Sequence, residues 1–316
     1  VTSEDAGSVD VGGKTQYINN FKTITGSDFN DTVILNSRGH IIDGGKGDDT
    51  FVMNGGSNTL HGGEGVNTLD YTSAGVEQAY DTLSLVGLDG ALNINGVTID
   101  FQHGRVTHNG WLDKQGNAGK DTFTDMQVFY GSQGNDHIIL GQESTTIIEK
   151  VGDNYIEANG GSHSIDGGSG QSILDYTQVA THIDVNLNTG VVNKSSLGSD
   201  TISNIHHVIG STGGTSFTGQ SGGHNTLVGV DGVNHFSVDY GFNQLYGGKG
   251  SNTYQLKEGN STIFGGGHEN SAVVNNSILV FYGASGQSGT NADYINRLAF
   301  TGGTVEYSAG AGLSTN

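Results

Sequence analysis

A glycine-rich turn runs directly into a strand-forming segment in Gly44-Gly45-Lys46-Gly47-Asp48-Asp49-Thr50-Phe51-Val52. The first glycine of this stretch recurs in both directions at one constant interval, as Gly26, Gly44 and Gly62. A period of 18 matches neither the 3.6-residue repeat of an α-helix nor the simple alternation of a long strand. It predicts a coil, made of strand, turn, strand and turn, that repeats along the chain.

Large apolar residues occupy every ninth position over long parts of the chain. Coils of this kind stack as parallel strands about 4.8 Å apart, so the apolar residues are expected to form inward-facing columns in a shared core. The predicted fold class is all-β, a right-handed parallel β-solenoid of 18-residue coils in three modules. The fifteen column positions are Val33, Ile42, Phe51, Leu60, Leu69, Ile138, Ile147, Ile156, Ile165, Leu174, Leu227, Phe236, Leu245, Tyr254 and Ile263.

Two interruptions of the ninefold spacing divide the solenoid into modules. The interrupting connectors contain alternating segments at 97–101 and 183–187, which predict wider coils or side hairpins. The apolar stretch 278–282 lies outside the spacing and is expected to cap the solenoid or to serve assembly. The predicted divisions are an N-terminal segment at 1–16, module one with its connector at 17–120, module two with its connector at 121–199, module three at 200–272 and a C-terminal segment at 273–316.

Composition limits the partners of the chain. Twelve Lys and Arg residues stand against 32 Asp and Glu residues, a net charge of −20, which argues against nucleic acid or an anionic membrane surface as a partner. A divalent cation is the natural complement of such a charge. The chain has 55 glycines, no proline and no cysteine, so tight turns are frequent and a thiolate metal site is excluded. No apolar run approaches the roughly 20 residues of a membrane span.

The stretch 44–52 fits the nonapeptide G-G-x-G-x-D-x-U-x, in which U is large and apolar, and so resembles the hemolysin-type calcium-binding repeat of the RTX family. The resemblance covers about residues 17–271, where the repeats are degenerate. This part of the chain is similar to repeat regions of type 1-secreted surface-layer, matrix or adhesin proteins. It implies Ca²⁺ as the ligand and a secreted, extracellular or cell-surface location in a Gram-negative bacterium. In the family, the aspartate at position six and turn carbonyls of neighbouring coils coordinate Ca²⁺, which prefers six to eight oxygen ligands.

Position six of the repeat is a carboxylate in only a few coils of this chain. One calcium site is expected between two neighbouring turns of module one, and a weaker one in module two. Elsewhere position six holds Asn, Ser or Thr, whose side chains are expected to hydrogen-bond along the stack. An alternative stays open, in which all of these are turn residues without an ion. The predicted metal ligands are Asp31 and Asp49 with Asp28, Asp43 and Asp48 as helpers in module one, and Asp136 with Asp153 in module two.

Two functions are compatible with this pattern. The favoured one is a non-catalytic, calcium-binding structural or adhesive protein of a surface layer, matrix, filament or adhesin, which associates with itself end to end or laterally and has a cell-surface polysaccharide as a further partner. The alternative is an accessory or catalytic module of a secreted polysaccharide lyase or epimerase, for which only the scattered Asp100, His103, Arg105 and His108 are available. The twelve histidines contain no H-E-x-x-H pattern and are expected at the surface.

Overall fold

The structure is a computed structural model. It describes residues 6–11, 14–19, 21–35, 39–54, 56–73, 95–112, 118–265, 270–274, 277–282, 295–300 and 303–308. These residues form β-strands joined by turns, with a single 3-10 turn at Ser195–Leu197. The described part of the chain contains no helix with the length and apolar character needed to cross a membrane. Two compact units are present, residues 1–156 with 163–172 and residues 157–162 with 173–316.

The first unit stacks its strands in two sheets. Their orders are β2-β1-β4-β6-β8-β12-β14-β16 and β3-β5-β7-β11-β10-β9-β13-β15. The strands are β1 (Ala6–Val11), β2 (Lys14–Asn19), β3 (Thr23–Thr25), β4 (Thr32–Leu35), β5 (Ile41–Asp43), β6 (Thr50–Met53), β7 (Thr59–His61), β8 (Thr68–Asp70), β9 (Asn95–Asp100), β10 (Arg105–Leu112), β11 (Ala118–Thr124), β12 (Val128–Tyr130), β13 (Asn135–Ile139), β14 (Thr146–Ile148), β15 (Tyr155–Glu157) and β16 (Ser164–Asp166).

The second unit is built in the same way. Its sheets have the orders β20-β19-β18-β22-β24-β26-β28-β30 and β17-β21-β23-β25-β27-β29-β31. The strands are β17 (Ile173–Asp175), β18 (Ile183–Asn186), β19 (Val191–Asn193), β20 (Ser199–Ser203), β21 (His207–Ile209), β22 (Thr215–Thr218), β23 (His224–Val228), β24 (Asn234–Val238), β25 (Phe242–Tyr246), β26 (Asn252–Leu256), β27 (Gly259–Phe264), β28 (Asn270–Val274), β29 (Ser277–Tyr282), β30 (Ile295–Phe300) and β31 (Gly303–Ser308).

The ninefold apolar columns form the core, which confirms the predicted parallel β-solenoid of 18-residue coils. In the first unit, Val33, Phe51 and Leu69 are direct partners on the parallel strands β4, β6 and β8. All fifteen predicted column residues are at most 2 % exposed. Burying one such side chain contributes about 1.5–3 kcal/mol, so the columns supply much of the driving force for stacking.

Aromatic rings replace aliphatic side chains in one column of the second unit. Phe217, Phe236 and Tyr254 lie on successive coils, with ring centroids 5.0 and 4.9 Å apart and planes within 16° of parallel. The strand spacing imposes this face-to-face arrangement, because identical positions repeat about every 4.8 Å. Such pairs add about 0.5–1.5 kcal/mol beyond the burial of their area.

The connectors enter the sheets as antiparallel strands. In the first unit, β10 pairs antiparallel with both β9 and β11, while β11 and β9 pair parallel with β7 and β13. In the second unit, β19 pairs antiparallel with β18 and β20, and β18 continues parallel to β22. The predicted side hairpins are therefore three-stranded insertions within the plane of a sheet, and the parallel stack resumes after each of them.

Both ends of the chain add strands that the repeat pattern did not predict. Near the N-terminus, β1 and β2 form an antiparallel hairpin, and β1 pairs antiparallel with β4. Near the C-terminus, β29 and β31 continue the parallel stack after β27, and β30 continues it after β28. The expectation that 278–282 lies outside the repeat is wrong for the backbone, because the register pairs Ile263 with Phe281, its equivalent one coil later.

A buried aspartate ties the first connector to the coil before it. Asp121 accepts hydrogen bonds from the Tyr71 hydroxyl at 2.6 Å and the Asn58 N–H at 2.7 Å, and His108 Nε2 lies 2.8 Å from the same carboxylate. His108 is 2 % exposed, and His40 and His163 are also buried, so the expectation that the histidines lie at the surface is wrong for these three. For His108 strand alternation explains the difference, since an inward position on β10 faces the core.

The second connector repeats this arrangement with a lysine in place of the histidine. Asp200 accepts a hydrogen bond from the Tyr176 hydroxyl at 2.8 Å and two from Lys194 Nζ at 2.7 and 2.8 Å. Lys194 and Asp200 are both fully buried. Burial lowers the pKa of Lys194, and the neighbouring carboxylate opposes that shift. The pair is stable because each charge has its partner in place.

Removing one member of this pair tests its role. Lys194→Met is expected to lower the free energy of unfolding by about 3–5 kcal/mol, because Asp200 is left buried without a counter-charge. The double variant Lys194→Met with Asp200→Asn should regain part of the loss, since the amide still accepts the Tyr176 hydroxyl. Chemical denaturation followed by circular dichroism measures both.

The matched control is Lys257→Met. Lys257 Nζ lies 3.8 Å from an Asp239 carboxylate oxygen, and these side chains are 55 % and 36 % exposed. Its loss should change stability by less than about 1 kcal/mol. Equal effects of Lys194→Met and Lys257→Met would contradict the assignment of the buried pair.

Candidate metal centre

The turn before β6 shows why the repeat needs its glycines. Gly45 and Gly47 have φ values of +99° and +108°, in the left-handed region that side chains disfavour. Gly44 has ordinary backbone angles but no room for a side chain, because a Cβ there would contact a carboxylate oxygen of Asp49 and the Gly62 carbonyl. The glycines thus bring turn carbonyls and the position-six carboxylate close together.

Position-six side chains form an inner ladder through module one. The Asp31 N–H donates to Asp49 Oδ1 at 2.8 Å, and the Asp49 N–H donates to Asn67 Oδ1 at 2.9 Å, each from one coil to the next. Asp31 Oδ2 accepts the Ser27 N–H at 2.6 Å. Both aspartates are at most 2 % exposed. The structure therefore brings the two main predicted ligands into neighbouring turns, inside the coil.

Position five forms a parallel outer ladder. The Asp48 N–H donates to Asn30 Oδ1 at 2.9 Å, and Asp48 Oδ1 accepts the Val66 N–H at 2.8 Å. Asp153 repeats this role in module two, where its Oδ1 accepts the Gln171 N–H at 2.7 Å. Asp48 and Asp153 are exposed. They occupy the outer edge of the turns rather than the interior that holds the position-six carboxylates.

The remaining predicted helpers, Asp28 and Asp43, differ in their relation to Asp49, because only the charge of Asp43 affects its pKa. Asp28 and Asp43 are exposed. Burial raises the pKa of Asp49, the hydrogen bond from the Asp31 N–H opposes this, and the charges of Asp31, Asp48 and Asp43 raise it further. Module one therefore concentrates negative charge around one buried carboxylate, which favours the binding of a cation.

Two carboxylate oxygens fit a hard cation best. Asp31 Oδ1 and Asp49 Oδ2 are buried and have no hydrogen-bond donor of their own among the described residues. No three His, Cys, Asp or Glu side chains form a group that could hold a metal within the described ranges. A calcium ion here would be held by Asp31 and Asp49 and would take its other oxygens from turn carbonyls or water.

Module two pairs a predicted ligand with a buried acid that the repeat pattern missed. Asp136 is 2 % exposed, and its oxygens accept the Ser132 N–H at 2.7 Å, the Ser132 hydroxyl at 2.6 Å and the Val97 N–H at 2.7 Å. Glu149, the missed acid, is also 2 % exposed and interacts with Asp136. The signal in the sequence was that Glu149 stands where other turns begin with glycine.

Module three replaces the carboxylates with amides. Asn234 Oδ1 accepts the Thr215 N–H at 3.0 Å, and Asn234 Nδ2 donates to Asn252 Oδ1 at 3.1 Å. On the opposite edge, Asn225 Nδ2 donates to Asn243 Oδ1 at 2.7 Å. These contacts confirm the expected hydrogen bonding of asparagines along the stack. An amide ladder needs no cation, because it carries both donors and acceptors.

Only part of the residue set of the enzyme alternative comes together, because Asp100, His103 and Arg105 lie around the turn between β9 and β10. His103 is exposed and lies 2.6 Å from Asp100 in the turn after β9. His108, in contrast, is buried against Asp121. The two histidines therefore do not line one groove.

The chain matches the family model of the RTX calcium-binding nonapeptide repeat in four copies, at residues 41–69, 221–254, 228–263 and 246–271. The first copy contains Asp49 and the other three lie in the asparagine-rich coils. No curated protein matches the chain. The glycine turns, the nine-residue columns and the family match agree, and at 41–69 and 221–271 the parallel β-solenoid carries nonapeptide repeats that match the RTX calcium-binding model.

Proposed function

We propose that this chain is a secreted calcium-binding protein with a structural or adhesive role in an extracellular surface layer, matrix, filament or adhesin. The observation that carries the proposal is the pair Asp31 and Asp49, whose buried carboxylates lie in successive turns and retain oxygens without a hydrogen-bond donor among the described residues. RTX repeats are typical of type 1-secreted extracellular proteins, and solenoids of these repeats are typical of non-catalytic domains. This supports secretion from a Gram-negative bacterium.

Calcium would act on the chain by neutralising charge. Thirty-two acidic residues against 12 basic ones repel one another, and the repulsion is strongest where carboxylates are buried. An ion that binds the folded coils and not the unfolded chain stabilises the fold by mass action. The folded solenoid would then be more stable at high calcium concentration than at low calcium concentration.

Self-association is the second part of the proposal. Among the described strands, β2, β3, β30 and β31 each have a neighbour on one side. Such edges carry backbone N–H and C=O groups that can pair with another strand, and the chain has no proline to block them. We therefore propose end-to-end or lateral contacts between copies, with a cell-surface polysaccharide as a further partner.

Calcium is expected to raise the melting temperature of the intact chain. At a free calcium concentration one hundred times the Kd, each site adds about 2.7 kcal/mol. Differential scanning calorimetry with excess calcium and with excess chelator measures the effect, and magnesium at equal concentration is the control. An unchanged midpoint in calcium would contradict calcium binding to the folded state.

Asp49→Asn tests the module-one site without breaking the ladder. The amide oxygen can still accept the Asp31 N–H, as Asn67 does for Asp49 in the next coil. The variant should fold and should bind fewer calcium ions, because one charged oxygen ligand is lost. Calorimetric titration gives the stoichiometry. Asn252→Ala is the comparison in the amide ladder, and equal loss of calcium in both variants would refute the site assignment.

Deletion of the chain from Ser277 onward tests the strands that follow β28. If β29, β30 and β31 cover their own solenoid, their removal should cause aggregation, because β27 and β28 become edges. If they pair with another copy, the truncated chain should stay monomeric and lose any assembly that the intact chain forms. Analytical ultracentrifugation and electron microscopy distinguish these results. Assembly unchanged by the truncation would remove these strands from the proposed contact.

A further inference from the structure

Glu149 stands in a position that the neighbouring coils reserve for glycine. The first residue of the turn is Gly131 in the preceding coil and Gly167 in the following one. The Glu149 N–H donates to the Asp166 carbonyl at 2.9 Å, so the backbone follows the normal parallel pairing at this point. The substitution therefore keeps the coil and adds a carboxylate to its interior.

The neighbouring turn makes room for this carboxylate. A Cβ on Gly131 would contact both Glu149 carboxylate oxygens, so only glycine at 131 leaves space for them. Glu149 is 2 % exposed, and neither of its oxygens receives a hydrogen bond from an N–H or O–H group of the described residues. A carboxylate buried in this way is costly unless a positive charge or a proton accompanies it.

Asp136 cannot supply the positive charge that the Glu149 carboxylate lacks. It is a neighbouring carboxyl group, and its own oxygens already accept the Ser132 N–H, the Ser132 hydroxyl and the Val97 N–H. Burial raises the pKa of Glu149 well above its ordinary value, and the charges of Asp136 and Asp166 raise it further. Two interior carboxyl groups thus face each other, and no cationic side chain of the described residues is hydrogen-bonded to the Glu149 oxygens.

From this arrangement we infer that Glu149 and Asp136 together bind one divalent cation, calcium, inside the turns of module two. The inference rests on the proposed calcium-binding function and names a ligand that the repeat pattern does not contain. Calcium suits the site because it takes several hard oxygens in flexible geometry, and backbone carbonyls or water can complete its shell. Glu149 thereby replaces Asp153 as the partner of Asp136, since Asp153 is exposed and already accepts the Gln171 N–H.

Two variants of the intact chain test this site. Glu149→Gln keeps the shape of the side chain and removes its charge, and Glu149→Gly restores the residue found at the neighbouring turn starts. Glu143→Gln is the matched control, because Glu143 is exposed in the same module. Calorimetric titration with calcium and terbium luminescence count the bound ions.

Both Glu149 variants are expected to bind about one ion fewer than the parent chain, and Glu143→Gln the same number. The loss should add to that of Asp49→Asn in the double variant. If either Glu149 variant folds and binds as many ions as the parent, the inference is overturned, and the two carboxyls share a proton instead. A parent chain that binds no calcium at all would overturn the proposed function as well, so the two failures are distinguishable.

Discussion

The hydrogen bond between a turn N–H and a side-chain oxygen of the next coil is the constraint on which the solenoid depends. At each corner the backbone leaves the strand pairing, and a buried N–H without an acceptor costs about 1–3 kcal/mol. Asp49, Asn67, Asn154 and Asn234 each supply that acceptor to the preceding coil. The Asn154 N–H donates in the same way to the Ser172 hydroxyl, and the Asn67 N–H donates to Gln127 Oε1 where the connector returns to the stack. Each acceptor is therefore a side-chain oxygen of an uncharged polar residue or an aspartate.

This restriction links the fold to calcium. Asp and Asn accept the same hydrogen bond from the backbone, but they differ in their second side-chain atom, which is a carboxylate oxygen in Asp and an NH₂ group in Asn. Asn234 uses its Nδ2 group as a donor to Asn252, so the ladder satisfies itself. The Asp49 side chain carries no N–H group, and its Oδ2 atom is buried without a hydrogen-bond partner among the described residues. Amides in a column can donate to one another, whereas buried carboxylates cannot and are costly unless a cation or a proton accompanies them.

Much of the fold could be predicted from the sequence because its periods are geometric. A half-coil of nine residues brings the chain back to the core, and a full coil of 18 residues brings it back to the same corner. Stacked partners such as Phe51 and Leu69 can therefore be predicted from their spacing in the sequence. The connector contacts could not, because they depend on where an antiparallel strand falls in the sheet. Tyr71 and Asp121 are far apart in the chain, and nothing in their spacing shows that His108 contacts the same carboxylate. Glu149 could not be predicted as a ligand from the repeat, because it stands where the repeat has glycine.

Under the proposed calcium binding, the two units would depend on calcium to different degrees. Carboxylates occupy position six at Asp31, Asp49 and Asp136, all in the first unit, where Glu149 adds a buried acid at the start of a turn. The second unit has asparagines at the corresponding positions, stacked aromatic rings in its core and a paired lysine in its connector. In this unit Asn234 and Asn252 hydrogen-bond to each other, as do Asn225 and Asn243. If calcium binds as proposed, one chain has two forms of the same 18-residue coil, one with buried carboxylates that hold the ion and one in which paired amides take its place.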